Sequence, residues 1–173
     1  LEEVIEFKVE YLRGKLKGRF LVDDSGLFIG GLKGFPGVYS SEIFKAIGCD
    51  GILKLLEGVE RSRRRAEFQC CLGYCDESSW RLFTGICAGE IAFAKKGNNG
   101  FGYDPIFVPE GSKRTFAQGK GDQAVRRIPE ARAFPRDMNA NTKYRRCFLL
   151  SHCVRLFPII RPLEALRALS LTP

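Results

Sequence analysis

The sequence predicts an α/β fold, and three observations carry that expectation. Residues 1–17 repeat apolar side chains at helical spacing, and residues 66–75 alternate between two faces. Residues 20–28 run a short apolar stretch into an acidic pair. With 173 residues, 45% of them hydrophobic, the chain is long enough to bury one real core.

In the first segment Val4, Ile5, Phe7, Tyr11, Leu12 and Leu16 cover a broad apolar arc, with Glu2, Glu3, Glu6, Glu10 and Arg13 opposite. Lys8 falls inside the apolar arc. Its position admits two readings: a stem lying on the core with the ammonium reaching water, or a cation aimed into a cleft to meet an anion. Next, Phe20-Leu21-Val22 reads as a buried strand, with Asp23 and Asp24 at its exit and Ser25-Gly26 turning the backbone. Two carboxylates there are costly to desolvate unless a cation or hydrogen-bond donors meet them. Magnesium takes such oxygens, commonly one or two carboxylates together with substrate phosphates. The plainer alternative is a polar strand end in which an aspartate caps a turn.

Glycine and proline punctuate residues 30–37 as a loop. Ser40 or Ser41 is expected to cap a short helix, and Asp50 another over Ile52–Glu57. Strands follow at 66–75 and Trp80–Cys87, with Gly89–Phe93 continuing the sheet; the basic run Arg61, Arg63, Arg64, Arg65 reads as a solvated turn. Between Lys95 and Glu110, two glycines flank Phe101, suiting a loop whose backbone approaches a ligand. Phe101 and Tyr103 would offer ring faces to a nucleobase, and Asp104-Pro105 leads into a strand over Ile106–Val108. Aromatics that merely cover the core are the alternative.

Composition excludes several classes. The only histidine is His152, which rules out a histidine-based metal cluster. Seven cysteines, with Cys70, Cys71 and Cys75 in one apolar stretch, read as buried thiols of a reduced, cytoplasmic protein. No apolar run is long enough for a membrane helix, so no membrane partner is expected. Leu1 opens in mid-pattern and the sole methionine is Met138, which suggests a fragment lacking its N-terminus. The net charge of +8 is uneven: residues 1–118 carry 17 Lys/Arg against 16 Asp/Glu, residues 119–173 carry 11 against 4.

Taken together, Phe-Leu-Val-Asp-Asp-Ser-Gly-Leu, Gly-Phe-Pro-Gly-Val-Tyr-Ser-Ser, Asn-Gly-Phe-Gly-Tyr-Asp-Pro-Ile-Phe-Val-Pro-Glu-Gly and Lys-Arg-Thr-Phe-Ala occur in that order. The chain thereby resembles the inosine/xanthosine triphosphate pyrophosphatase family over about residues 1–118. The resemblance implies an elongated mixed β-sheet flanked by helices, with a central substrate cleft between two lobes. It also implies a homodimer and magnesium-dependent hydrolysis of ITP, dITP or XTP to the monophosphate and pyrophosphate. Carried over position by position, Asp24 is the magnesium-binding carboxylate and proton acceptor, with Asp23 beside it in the metal site. Ser25 contacts substrate, Lys8 faces the phosphates, and Phe101, Gly102, Tyr103 and Asp104 embrace the nucleoside.

The family's opening strand, its phosphate-gripping Thr/Ser-Gly-Asn-x-x-Lys loop and an upstream glutamate would precede Leu1. Beyond Gln118 the expected Glu-Lys-Asn and Ser-His-Arg segments are replaced. His152 and Arg155 are the candidate base contacts left, and residues 119–173 read as a divergent basic segment, expected from a shift of reading frame. On these grounds the chain is expected to be weakened or inactive as it stands. Two alternatives stay open: a non-catalytic protein on the same fold that binds nucleic acid through the basic tail, and a Maf-like nucleotide pyrophosphatase.

Overall fold

A long antiparallel hairpin is the spine of the structure, a computed structural model that describes residues 1–76 and 78–119. In chain order it comprises α1 (Glu2–Arg13), β1 (Phe20–Ile29), β2 (Pro36–Gly37), α2 (Ser40–Leu55), β3 (Arg65–Cys75), β4 (Trp80–Ile91) and β5 (Phe107–Pro109), with three single-turn 3₁₀ segments between them. The strands form one sheet in the order β2-β1-β3-β4-β5. Every pairing among the described residues is antiparallel. The α/β class therefore holds, whereas the mixed sheet is not met within these residues. β3 ends at Cys75 and β4 begins at Trp80, a gap far shorter than the crossover of a dozen or more residues that a parallel pair would need.

Register assigns each strand residue to a face, because neighbouring side chains alternate and partners across the ladder point the same way. On one face α1 sets Ile5 and Val9 against Val22, Cys71 and Cys75. The helix sits close because β3 has Gly73 beneath it, where a Cβ would lie 2.7 Å from the Ile5 side chain and 2.8 Å from that of Val9. On the other face α2 and the segment before β5 build the larger core from Leu27, Ile29, Ile52, Leu56, Ile91, Tyr103, Ile106 and Phe107. Burying a Leu, Ile or Phe side chain is worth roughly 1.5–3 kcal/mol, so both helices are held chiefly by these faces.

Several expectations change at this level. The predicted helix over 1–17 ends at Arg13, and its arc is narrower than expected: Phe7 is 71% exposed and stacks on Tyr11 instead of entering the core. The two short helices expected after residue 40 are met as the two segments of α2, which join at Gly48, whose φ of 58° favours glycine. Asp50 lies past the break and pairs with Lys95 at 2.8 Å instead of capping. Arg64, expected in a solvated turn, is 2% exposed. Its guanidinium donates to the carbonyls of Leu56, Ile91 and Ala92 at 2.8–3.0 Å and lies over the Phe93 ring. It thereby satisfies the end of α2 and the end of β4 at once. The cysteines follow expectation: Cys49, Cys70, Cys71 and Cys75 are buried free thiols. No helix among the described residues is long and apolar enough to cross a membrane.

Candidate active site

The acidic pair does not sit at a strand exit. β1 continues through Asp23, Asp24, Ser25 and Gly26 to Ile29, and each of its ten residues has a partner on β3. Gly26 does not turn the chain. It lets the Pro36-Gly37 segment press onto β1, since a Cβ there would lie 2.3 Å from the Gly37 carbonyl oxygen. Because the strand is continuous, Asp23 and Asp24 project to opposite faces. The expectation that both carboxylates hold one ion is therefore corrected by the two-residue period of the strand.

Asp24 faces α1. Lys8 Nζ lies 3.2 Å from Asp24 Oδ2 and donates to the Asp23 carbonyl oxygen at 3.1 Å. Asp24 Oδ1 accepts the Ser25 N–H at 3.0 Å. Both members of the ion pair are about a quarter exposed, at 29% and 24%, so the charges stay open to a ligand. The helical arc that placed Lys8 inward is what delivers its ammonium to Asp24 on the strand. Asp23 points to the face of Cys70 and Leu72, and burial pushes its carboxyl up to about 6. Ser25 shares that face.

Phe101, Gly102, Tyr103 and Asp104 form a turn on the α2 side of the sheet. Asp104 Oδ2 accepts the Phe101 N–H at 2.9 Å, and burial pushes the Asp104 carboxyl up to about 6 against that hydrogen bond. Tyr103 is 1% exposed, edge-on to Phe44 with ring centroids 5.1 Å apart, and its hydroxyl donates to the Ser40 carbonyl. Its ring is thus a core group, which corrects its expected part as a stacking face; the chain needs an anchor under the turn. The Cys49 thiol donates to the Gly102 carbonyl at 3.3 Å. Ser40, read from sequence as a helix cap, instead bonds Leu27 N–H and the Gly37 carbonyl through its hydroxyl. Sequence reasoning missed Ser40 and Cys49 as supports of this turn, because a hydrogen bond across tens of residues leaves no local signature.

For a metal ion the donors differ between the two acids. Among the described residues no group of three or more His, Cys, Asp or Glu is placed to hold one. Asp24 fits as a single carboxylate ligand of an ion that shares substrate phosphates, and Asp23 does not fit the same ion. A cleft of about 610 Å³ is lined by Phe28, Arg61, Glu67, Glu90, Val108 and Glu110 among others; neither aspartate lines it. His152, Arg155 and the basic segment from residue 120 lie outside the described residues.

The sequence profile of the Ham1 family matches residues 1–135. The chain belongs to the Ham1 family. It is 51% identical over 118 residues to the dITP/XTP pyrophosphatase of Pyrococcus horikoshii, and that match covers 68% of this chain and 62% of the relative. It is 50% identical over 118 residues to the protein of the same name from Thermococcus kodakarensis, with the same coverage. The chain thus spans 62% of the length of these curated relatives. Among solved structures, the Ham1 protein of Staphylococcus aureus superposes with a TM-score of 0.67 at 34% identity, covering 76% of this chain and 70% of that one.

Proposed function

We propose that this Ham1 chain serves magnesium-dependent hydrolysis of the non-canonical purine nucleoside triphosphates ITP, dITP and XTP to the monophosphate and pyrophosphate. The observation that carries the reading is the partly exposed Lys8–Asp24 pair, a cation of α1 set beside an acid of β1. The names of its relatives, dITP/XTP pyrophosphatases, supply the substrate class.

In this reaction the oxygen of a water bonds to the α-phosphorus, the bond from that phosphorus to the bridging oxygen breaks, and pyrophosphate leaves with the electron pair. Catalysis of such a transfer is mainly positioning and electrostatic stabilisation. Asp24 orients the water and accepts its proton. Lys8 exchanges its contact with Asp24 for non-bridging phosphate oxygens, a swap that the partial exposure of both groups permits. Asp24 would hold magnesium together with the phosphates, and the bound ion would supply charge neutralisation and polarisation of a phosphoryl oxygen. Ser25 N–H keeps Asp24 Oδ1 oriented. Phe101, Gly102 and Asp104 present the nucleoside end of the site, with Tyr103 fastened beneath. The protein works on this reading as a cytoplasmic homodimer, in keeping with its free thiols.

Pyrophosphate release from ITP, XTP, GTP and ATP, with and without magnesium, tests the proposal on this chain and on a version extended at its N-terminus by the family's opening strand and phosphate loop. Release by the extended version from ITP and XTP that needs the ion and exceeds release from GTP and ATP is expected. Equal rates on all four, or no release from any by either version, overturn it.

A further inference from the structure

We infer that Ser40 is a positioning residue that ties the Phe101–Asp104 turn to the strand carrying Asp24. The inference rests on the proposed function for its meaning, because it joins the phosphate end of that site to its nucleoside end. Lys8 and Asp24 lie on the α1 face of the sheet and the turn lies on the α2 face, so something must set their separation. Ser40 is placed to do so. It is 8% exposed, and its hydroxyl oxygen accepts the Leu27 N–H at 2.7 Å, three residues beyond Asp24 on β1. The same hydroxyl donates to the Gly37 carbonyl at 2.7 Å, which uses its proton. Its backbone carbonyl accepts the Tyr103 hydroxyl at 3.1 Å from the middle of the turn. Ser40 therefore bonds to β1 through its side chain and to the turn through its backbone.

The surroundings make the tether stiff. Gly26 allows the Gly37 carbonyl so near β1 that one hydroxyl reaches both strands. Tyr103 is fixed edge-on against Phe44 of α2, and Cys49 Sγ adds a second bond from α2 to Gly102. A hydroxyl is the group this site demands, because it accepts from one backbone group and donates to another within a buried space. Alanine would leave the Leu27 N–H and the Gly37 carbonyl without that partner, at the cost of buried polar groups unpaired. Ser40 does not touch the reacting atoms; it acts through Leu27 and Tyr103.

Hydrogen exchange on the full chain, comparing wild type with Ser40→Ala and Tyr103→Phe, tests the tether. The Phe101, Asp104 and Ile106 amides are bonded within or beside the turn, and the Cys71–Thr84 pair of the β3–β4 ladder lies away from it. Exchange in the turn is expected to rise about tenfold or more in each variant, Tyr103→Phe losing one buried hydrogen bond and Ser40→Ala two, while the ladder keeps its protection. In turnover of ITP the same variants should raise KM about tenfold and leave kcat within about twofold, since a loosened turn weakens capture and not chemistry. Exchange that rises equally in the ladder, exchange that does not change, or a fall in kcat at constant KM overturns the inference. Should Ser40→Ala fail to fold, Tyr103→Phe removes a single oxygen and reads the same link. If neither this chain nor its N-terminally extended version releases pyrophosphate, the proposed function fails while the exchange comparison still decides the tether.

Discussion

The Lys8–Asp24 pair and the Phe101–Asp104 turn are built by opposite means. The Lys8–Asp24 pair is an ion pair a quarter exposed on a sheet face, held by one helix lying across one strand. The Phe101–Asp104 turn is held from beneath by a buried tyrosine, a serine carbonyl, a thiol and an aromatic edge contact. The first arrangement leaves both charges within reach of solvent; the second is fastened to buried partners. Charge that must be exchanged is left near water, and geometry that must be kept is packed into the core.

The largest test of this contrast removes the anchor. Tyr103→Ala deletes a fully buried ring and should lower unfolding stability by about 3–5 kcal/mol in urea titration. Asp24→Asn, at the other end, should leave the urea midpoint nearly unmoved yet cut pyrophosphate release from ITP by about a hundredfold or more. Lys8→Met comes next: KM for ITP should rise about tenfold, with a stability change under about 1 kcal/mol, as for other partly exposed pairs. If Asp24→Asn or Lys8→Met destabilised the fold as much as Tyr103→Ala, the contrast would not hold.

The smallest effect is one of pH. Burial raises the Asp104 carboxyl from 3.8 to about 6, so its protonated form is favoured in the folded state. A raised acid contributes stability that is fully present below its unfolded pKa and is lost as pH rises through the folded value. Wild type should therefore lose stability between about pH 4 and pH 6, with Asp23 contributing in the same window. Asp104→Asn should flatten part of that slope, measured as urea midpoints across the window. Asp76, held near 2 by the Ser78 and Ser79 groups, acts only below it.

Much of this was legible in the residues. The alternation over 66–75 is the strand β3, and the helical arc that put Lys8 among apolar neighbours is the reason it meets Asp24. What stayed hidden has a common physical cause. Ser25-Gly26 reads locally as a turn, yet pairing with β3 along all ten residues of β1 overrides that preference and sends Asp23 to the far face. Arg64 reads as one more exposed arginine in a basic run, and only the convergence of three carbonyls from α2 and the end of β4 makes its burial affordable. Tyr103 reads as a ring beside glycines, the pattern of a binding loop, while its hydroxyl has a partner 63 residues back in the chain. Local pattern identifies elements; partners distant in sequence decide which face a side chain occupies.

Arg64 has a consequence for behaviour in brine. The hydrogen-bond partners of this cation are carbonyl dipoles in a dry setting, and dissolved ions screen such contacts little. The peripheral pairs Lys95–Asp50 and Arg61–Glu90 lie where electrolyte reaches them and should fade as its concentration climbs. The clasp between the second helix and the hairpin is thus the fastening that persists when those outer attractions are gone.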